Sequence, residues 1–248
     1  MSNVLEFQKV NAGYDRIPIL HELSFSVGEG QVFGVIGPNG SGKTTMFNAL
    51  LGLIKTKSGK ILFQGTNIAG ASPDARCRMG IGRTFQIPRP FEKLSVYENV
   101  LVAEMYGAGR SERTGREKAL ELLKRTDLYD MRELPAGTLT LLDRKRLEVA
   151  RALGTEPKLL LLDEIAAGLI DMEVREIMKL VAMLKQSGYT IIWIEHILEA
   201  MLESTDWLMC MSEGQNIIEG KPQEVIASKE VETLYLGVTE HAGSNSQN

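Results

Sequence analysis

An α/β architecture with a mostly parallel central sheet follows from three stretches of this sequence. Val32-Phe33-Gly34-Val35-Ile36 and Lys158-Leu159-Leu160-Leu161-Leu162-Asp163-Glu164 are short apolar runs, as strands buried on both faces require. Tyr189-Thr190-Ile191-Ile192-Trp193-Ile194-Glu195-His196 repeats the pattern. All three end in glycine or charged residues, and open parallel sheets bind ligands at the carboxyl ends of their strands.

The first run leads into Gly37-Pro38-Asn39-Gly40-Ser41-Gly42-Lys43-Thr44-Thr45, which fits GxxxxGK[ST]. Gly37, Gly40 and Gly42 permit positive φ and close backbone approach, so successive N–H groups can curl around an anion. A helix expected over about 43–51, with Gly52 as its stop, aims its positive end at the same point. Lys43 supplies a mobile charge for the β- and γ-phosphates, the Thr44 hydroxyl suits Mg²⁺, and Thr45 adds a phosphate hydrogen bond. The loop by itself indicates a nucleotide binder and leaves kinases, GTPases, helicases and transport ATPases open.

Composition narrows the class. The chain has 248 residues, 44% of them hydrophobic and 24% charged, as in an ordinary globular protein. Its net charge of -4 gives no electrostatic reason to expect nucleic acid. Cys77 and Cys210 are far apart in sequence and suit packing roles in a reducing compartment. No apolar run approaches the roughly 18 residues that span a bilayer, and Met1-Ser2-Asn3-Val4 does not open a secretory signal. Any membrane role is therefore expected through a partner.

In chain order, residues 4–36 read as three strands. Leu5 and Phe7 alternate with Glu6 and Gln8, and Leu23, Phe25 and Val27 with Ser24 and Ser26, so each strand keeps one face toward water. Asn11-Ala12-Gly13-Tyr14-Asp15 between them reads as a loop, with Tyr14 placed either to stack on an adenine ring or to anchor the loop. Lys60–Gly65 reads as a further strand, and Pro73 after Ser72 as a helix start. Pro88 and Pro90 exclude regular structure beyond Gln86. Residues 95–129 are helical in character, interrupted at Gly107-Ala108-Gly109, and Arg110, Arg113 and Arg116 are expected on a solvated face. Asp163 and Glu164 end a buried strand: one is suited to hold Mg²⁺ through water, the other to polarise an attacking water. Trp207–Met211 and Asn216–Ile218 flank a hairpin turn. Residues 238–248 are expected as a polar, disordered tail.

Taken together these residues resemble the ATP-binding subunits of ABC transporters over about residues 4–237. Gly37–Thr45 match Walker A, Gln86 the Q-loop, Asp163 and Glu164 Walker B with its catalytic glutamate, and His196 the H-switch. Tyr14 falls where the family's adenine-stacking aromatic lies. The resemblance implies an ABC-ATPase fold with an N-terminal antiparallel β-subdomain and a helical subdomain, about 88–155, inserted in the sheet. It also implies ATP and Mg²⁺ as ligands: Glu164, His196 and Gln86 at the reacting centre, Thr44, Gln86 and Asp163 on the metal, and Thr140 on the nucleotide of a facing subunit. Arg83-Thr84-Phe85-Gln86, Leu147–Leu153, Ile194-Glu195-His196 and Tyr235-Leu236-Gly237 look like the branched-chain amino acid importer ATPases, with the lipopolysaccharide-export ATPase a close relative.

The partners so implied are a second ATPase subunit, membrane permease subunits and, indirectly, a periplasmic or extracellular substrate-binding protein. The implied location is the inner face of the cell membrane, on the cytoplasmic side. The signature loop departs from the family's LSGGQ, reading Leu139-Thr140-Leu141-Leu142-Asp143. Leucines stand where glycines would let backbone approach the γ-phosphate. Asp143 there stabilises a helix start and repels phosphate, and Thr140-x-x-Asp143 resembles a capping box. Ile165 and Ile170 replace the usual proline and D-loop Asp or Asn. These changes predict a heterodimer with one strong and one weak composite site, although a homodimer fits the same motifs. The ATPase of a lipid-export system and a weakly hydrolysing regulatory module are the alternatives. A nucleic-acid-acting ABC protein is disfavoured by charge.

Overall fold

The computed structural model describes residues 2–15 and 17–240. Its chain divides into two compact units, one built from residues up to 70 together with those from 194 onward, the other from residues 71–193.

The first unit opens with β1 (Asn3–Tyr14) and β2 (Ile17–Gly28). Leu5, Phe7, Leu23, Phe25 and Val27 are all buried, so the expected alternation holds. β1 nevertheless runs through the stretch read as a loop, because register shifts after Phe7, Val10 and Ala12 absorb its irregularity while pairing with β2 continues to Tyr14 and Ile17. β3 (Val32–Ile36) is buried at all five positions. α1 (Lys43–Leu50) starts at Gly42 in the left-handed region. β4 (Thr56–Phe63) starts four residues before the Lys60 expected, because Ser58 and Thr56 find partners on β1. β5 (Thr66–Asn67) completes an antiparallel sheet ordered β2-β1-β4-β5. Phe25 stacks between Phe7 and Phe33, with ring centroids 4.7 and 5.4 Å away, and so joins that sheet to β3.

The second unit begins with α2 (Pro73–Met79), which has Ser72 at its N-cap and Pro73 in its first turn as expected. β6 (Ile81–Arg83) follows, and no regular element intervenes before α3 (Val96–Val102). α3 carries a capping box between Ser95 and Glu98 and runs into a π-helical turn, Ala103–Gly107. α4 (Glu112–Arg125) restarts the chain after the expected interruption. Arg110 is not on a solvated face: it bonds the buried Glu104 at 2.8 Å and also pairs with Glu156. Burial pushes the Glu104 carboxyl up, and Arg110 draws it back down.

α5 (Leu141–Leu153) then leads to β7 (Leu159–Asp163), whose four leucines have no exposed surface. Burial of that kind contributes roughly 2 kcal/mol per side chain and explains why the run has no polar residue before Asp163. α6 (Asp171–Gln186) and β8 (Thr190–Ile194) complete the unit, with β8, β7 and β6 adjacent in that order and β6 parallel to β7. The helical stretch expected at 88–155 is therefore part of a larger unit that carries its own strands.

The chain returns to the first unit through α7 (Leu198–Ser204), β9 (Trp207–Ser212) and β10 (Gln215–Gly220). β9 lies parallel to β3, pairing Val35 with Met209, and β10 is antiparallel to β9, forming the expected hairpin. α8 (Pro222–Ile226) and α9 (Lys229–Glu240) close the unit. Residues 238–240 continue α9 and so are not part of a tail, while the rest of the expected tail, 241–248, lies outside the described residues. Cys77 and Cys210 are both free thiols. No helix among the described residues is long and apolar enough to cross a membrane.

Candidate active site

The phosphate loop is built against the β9–β10 hairpin. Gly37 holds φ +149, and a Cβ there would stand 2.2 Å from the Met211 carbonyl oxygen, so no other residue fits. Gly214, in the hairpin turn, is tighter still: a Cβ would lie 1.6 Å from the Ile19 oxygen. Its N–H donates to the Ser41 carbonyl at 2.9 Å, and its own carbonyl accepts from His21 N–H at 3.0 Å. The Gly37 N–H donates to the Tyr235 hydroxyl at 3.1 Å. These supports on the loop's outer side were not read from the sequence, because only the tertiary fold brings 214 and 235 to it.

Lys43 is buried, and its ammonium donates to the carbonyl oxygens of Gly37 and Pro38 at 2.8 and 3.0 Å and to Ser41 Oγ at 3.4 Å. The lysine therefore sits inside the curl of the loop, with Asn39 and Gly40 at its exposed rim. Thr44 is exposed and Thr45 buried, which separates a hydroxyl open to solvent from one packed into α1. Behind the loop, burial pushes the Cys210 thiol up to about 11, although Lys43 opposes the shift. Three positive-φ glycines, a buried lysine and a helix N-terminus suit a polyphosphate.

In the second unit, the end of β7 gathers a separate set of polar groups. Asp163 is buried and accepts from Arg83 Nη2 at 2.7 Å. Its N–H donates to Thr84 Oγ1 at 3.1 Å. Glu164 holds φ +47, a conformation that costs a non-glycine residue on the order of 1–3 kcal/mol. The Gln86 amide donates to the Glu164 carboxylate through a short hydrogen bond. Lys145, buried on α5, donates to the backbone carbonyls of Gln86 and Glu164 at 2.6 and 3.2 Å. The structure thus brings Gln86, Asp163 and Glu164 together and adds Arg83 and Lys145. A strand-end arginine and a helical lysine without periodic partners gave no sequence signal for these contacts.

Thr44 in the first unit, and Gln86 and Asp163 in the second, each carry an oxygen of the hard kind that Mg²⁺ takes. Among the described residues no group of three or more His, Cys, Asp and Glu forms a metal cage.

The loop 139–143 is a helix cap. Thr140 Oγ1 accepts from the Asp143 N–H at 3.2 Å and donates to its carboxylate at 2.6 Å. The Asp143 carboxylate takes that hydroxyl hydrogen, so the motif is not the reciprocal capping box that its spacing suggests. Arg146 stands 3.5 Å from the same carboxylate and offsets its charge. Leu141 and Ile170 are exposed and Ile165 is fully buried. Glu173 accepts from the Ile170 N–H at 3.1 Å, the half of a capping box that the third helical residue supplies; Ile170 has no side-chain oxygen to return it.

Two site residues remain. His196 is exposed just beyond β8, and its N–H donates to the buried Glu195 carboxylate at 3.0 Å. β8 does neighbour the Asp163 strand, as the sequence suggests. Tyr14 is tied to α1: its hydroxyl accepts from Asn48 at 2.8 Å, and 45% of its surface stays exposed.

Comparison with known proteins supplies the family. The ABC transporter family profile matches residues 20–167. The probable branched-chain amino acid transport ATP-binding protein LivG of Archaeoglobus fulgidus is 37% identical, the match covering 94% of this chain and 95% of that one. The lipopolysaccharide export system ATP-binding protein LptB of Acidithiobacillus ferridurans is 33% identical over 96% of this chain and 98% of its own. Among solved structures, the ADP conformation of an ATP-binding cassette of an ABC transporter matches with a TM-score of 0.87 and 32% identity, covering 96% of this chain and all of that one. The antiparallel sheet and the parallel strand pairs are consistent with the fold of such a cassette. The chain belongs to the ABC transporter family, as an ATP-binding cassette whose homologues are ATPases that power transport.

Proposed function

We propose that this chain is the ATP-hydrolysing subunit of an importer for branched-chain or related amino acids or amides. The single observation that carries hydrolysis is the Gln86–Glu164 hydrogen bond at the end of β7, which orients a carboxylate to polarise an attacking water. Lys43 and the loop amides bind the triphosphate, Thr45 adds a hydrogen bond, and Tyr14 stacks on adenine. Thr44, Gln86 and Asp163 would hold Mg²⁺, which would neutralise charge on the phosphates. His196 contacts the γ-phosphate. Two such subunits pair head to tail beneath membrane permease subunits on the inner face of the membrane, and closure around ATP drives transport.

The importer branch rests on the relatives named for branched-chain amino acid transport, from Archaeoglobus fulgidus and Pseudomonas aeruginosa. Lipid export is the second reading, since the LptB match is of similar extent. A heterodimer is favoured because the Thr140 hydroxyl is committed to Asp143, and Leu141 and Leu142 leave the loop without glycines.

Steady-state Mg-ATP hydrolysis by the purified chain, beside Glu164→Gln, tests the reading. The expected result is ATP binding by both, with turnover in the variant lower by on the order of a hundredfold or more. If the wild type binds ATP yet barely turns it over, a partner with a complete signature loop is required. Equal turnover by both would sink the role given to Glu164.

A further inference from the structure

Lys145 carries the next step. A buried ammonium is costly to keep unless its hydrogens are all directed at acceptors, so its position reports what it holds. It donates to the main-chain carbonyls of Gln86 and Glu164, while the side chains of those two residues bond each other. The three residues thus form a closed ring. The ring braces Glu164 at the point where its backbone is left-handed. Lys145 also lies one helical turn beyond the exposed Leu141, and residues four apart share a helix face. Thr140 caps that same turn. Any load on the loop 139–143 therefore reaches the lysine through a single rigid turn of α5.

We infer that Lys145 is a positioning residue that couples the loop 139–143 to the Glu164 carboxylate within one chain. The inference rests on the reading that Glu164 serves hydrolysis. Lys145 does not touch nucleotide in this scheme; it fixes the distance between the Gln86 backbone and the end of β7. A shift of α5 slackens or tightens that ring. Docking at the loop is then felt at Glu164 of the same chain.

The test compares wild type, Lys145→Met and Lys145→Arg in the full chain, with the exposed Arg116→Ala as a control. Three quantities are read: Mg-ATP dissociation constant, kcat, and amide hydrogen exchange. Lys145→Met is expected to lower kcat by about tenfold or more, since small misplacements at a reacting centre have effects of that size. Its ATP affinity should stay within about twofold of wild type, because the phosphate loop is untouched. Exchange should quicken at 84–91 and 164–168 and remain unchanged at 37–45. Lys145→Arg, which retains the donors, should recover part of kcat.

A Lys145→Met protein with wild-type kcat, or with wild-type exchange at 84–91 and 164–168, overturns the proposal. If wild type alone binds ATP without turning it over, kcat is read in the pair with a partner that has a complete signature loop. Equal turnover by wild type and Glu164→Gln is the separate failure of the hydrolysis reading, and in either case the exchange data decide whether the tether exists. Should Lys145→Met not fold, Lys145→Gln carries the same comparison.

Discussion

The loops 37–45 and 139–143 both precede helices, and their chemistry could hardly differ more. The first is shaped by glycines at positive φ and filled by a buried lysine. The second has no glycine, and its one hydroxyl is spent on its own helix. A helix N-terminus offers unpaired N–H groups in either case, and those groups can be satisfied by a ligand or by a cap. Where a side chain already caps the turn, the positive end is largely answered from within. The presence of a helix start is thus a poor guide to anion binding, and what precedes it decides.

Lys43→Met should break the first loop with the largest effect. Charge-assisted hydrogen bonds contribute about 1.5–3 kcal/mol, so Mg-ATP affinity should fall by about tenfold to a hundredfold in an equilibrium binding assay. Unchanged affinity would mean that the triphosphate is held elsewhere. The double variant Leu141→Gly with Leu142→Gly pushes the second loop toward the first. It should lower stability by about 1–2 kcal/mol in urea unfolding, as glycines in a helix do. Turnover by the chain alone should rise with it; lost stability with no gain in turnover would show that the leucines are not what limits this loop. Thr140→Ala has the smallest effect, a loss of about 1 kcal/mol for a removed cap, with the chain's own ATP affinity unaltered. A matching fall in that affinity would contradict the division between the loops.

Much of both sites was legible because local pattern and tertiary role coincide. The runs at β3 and β7 are apolar since each is buried throughout, and the glycine spacing of 37–42 encodes a backbone shape directly. The capping role of Thr140 was equally visible, since its partner is three residues away. Asn11–Tyr14 misled for the opposite reason: turn-forming residues there sit in an irregular strand whose pairing with β2 and β4 outweighs local preference. Arg110 misled because its acceptors, Glu104 and Glu156, lie on other segments. The contacts of Lys145, Arg83, Gly214 and Tyr235 could not be read from local pattern, because each has a partner more than 50 residues away. The polar network that tightens a site is the part that single-chain periodicity encodes least.

The contact between Tyr235 and Gly37 spans 198 residues. Its consequence lies in synthesis. The phosphate loop leaves the ribosome well before the hairpin and hydroxyl that prop it, and before Asp206, which accepts from the Val32 N–H at 2.9 Å. Residues 71–193 are continuous and can consolidate in the meantime. A growing chain stalled short of Tyr235 therefore carries a complete β7 and an unsupported phosphate loop, and that loop is braced only once residue 235 has emerged.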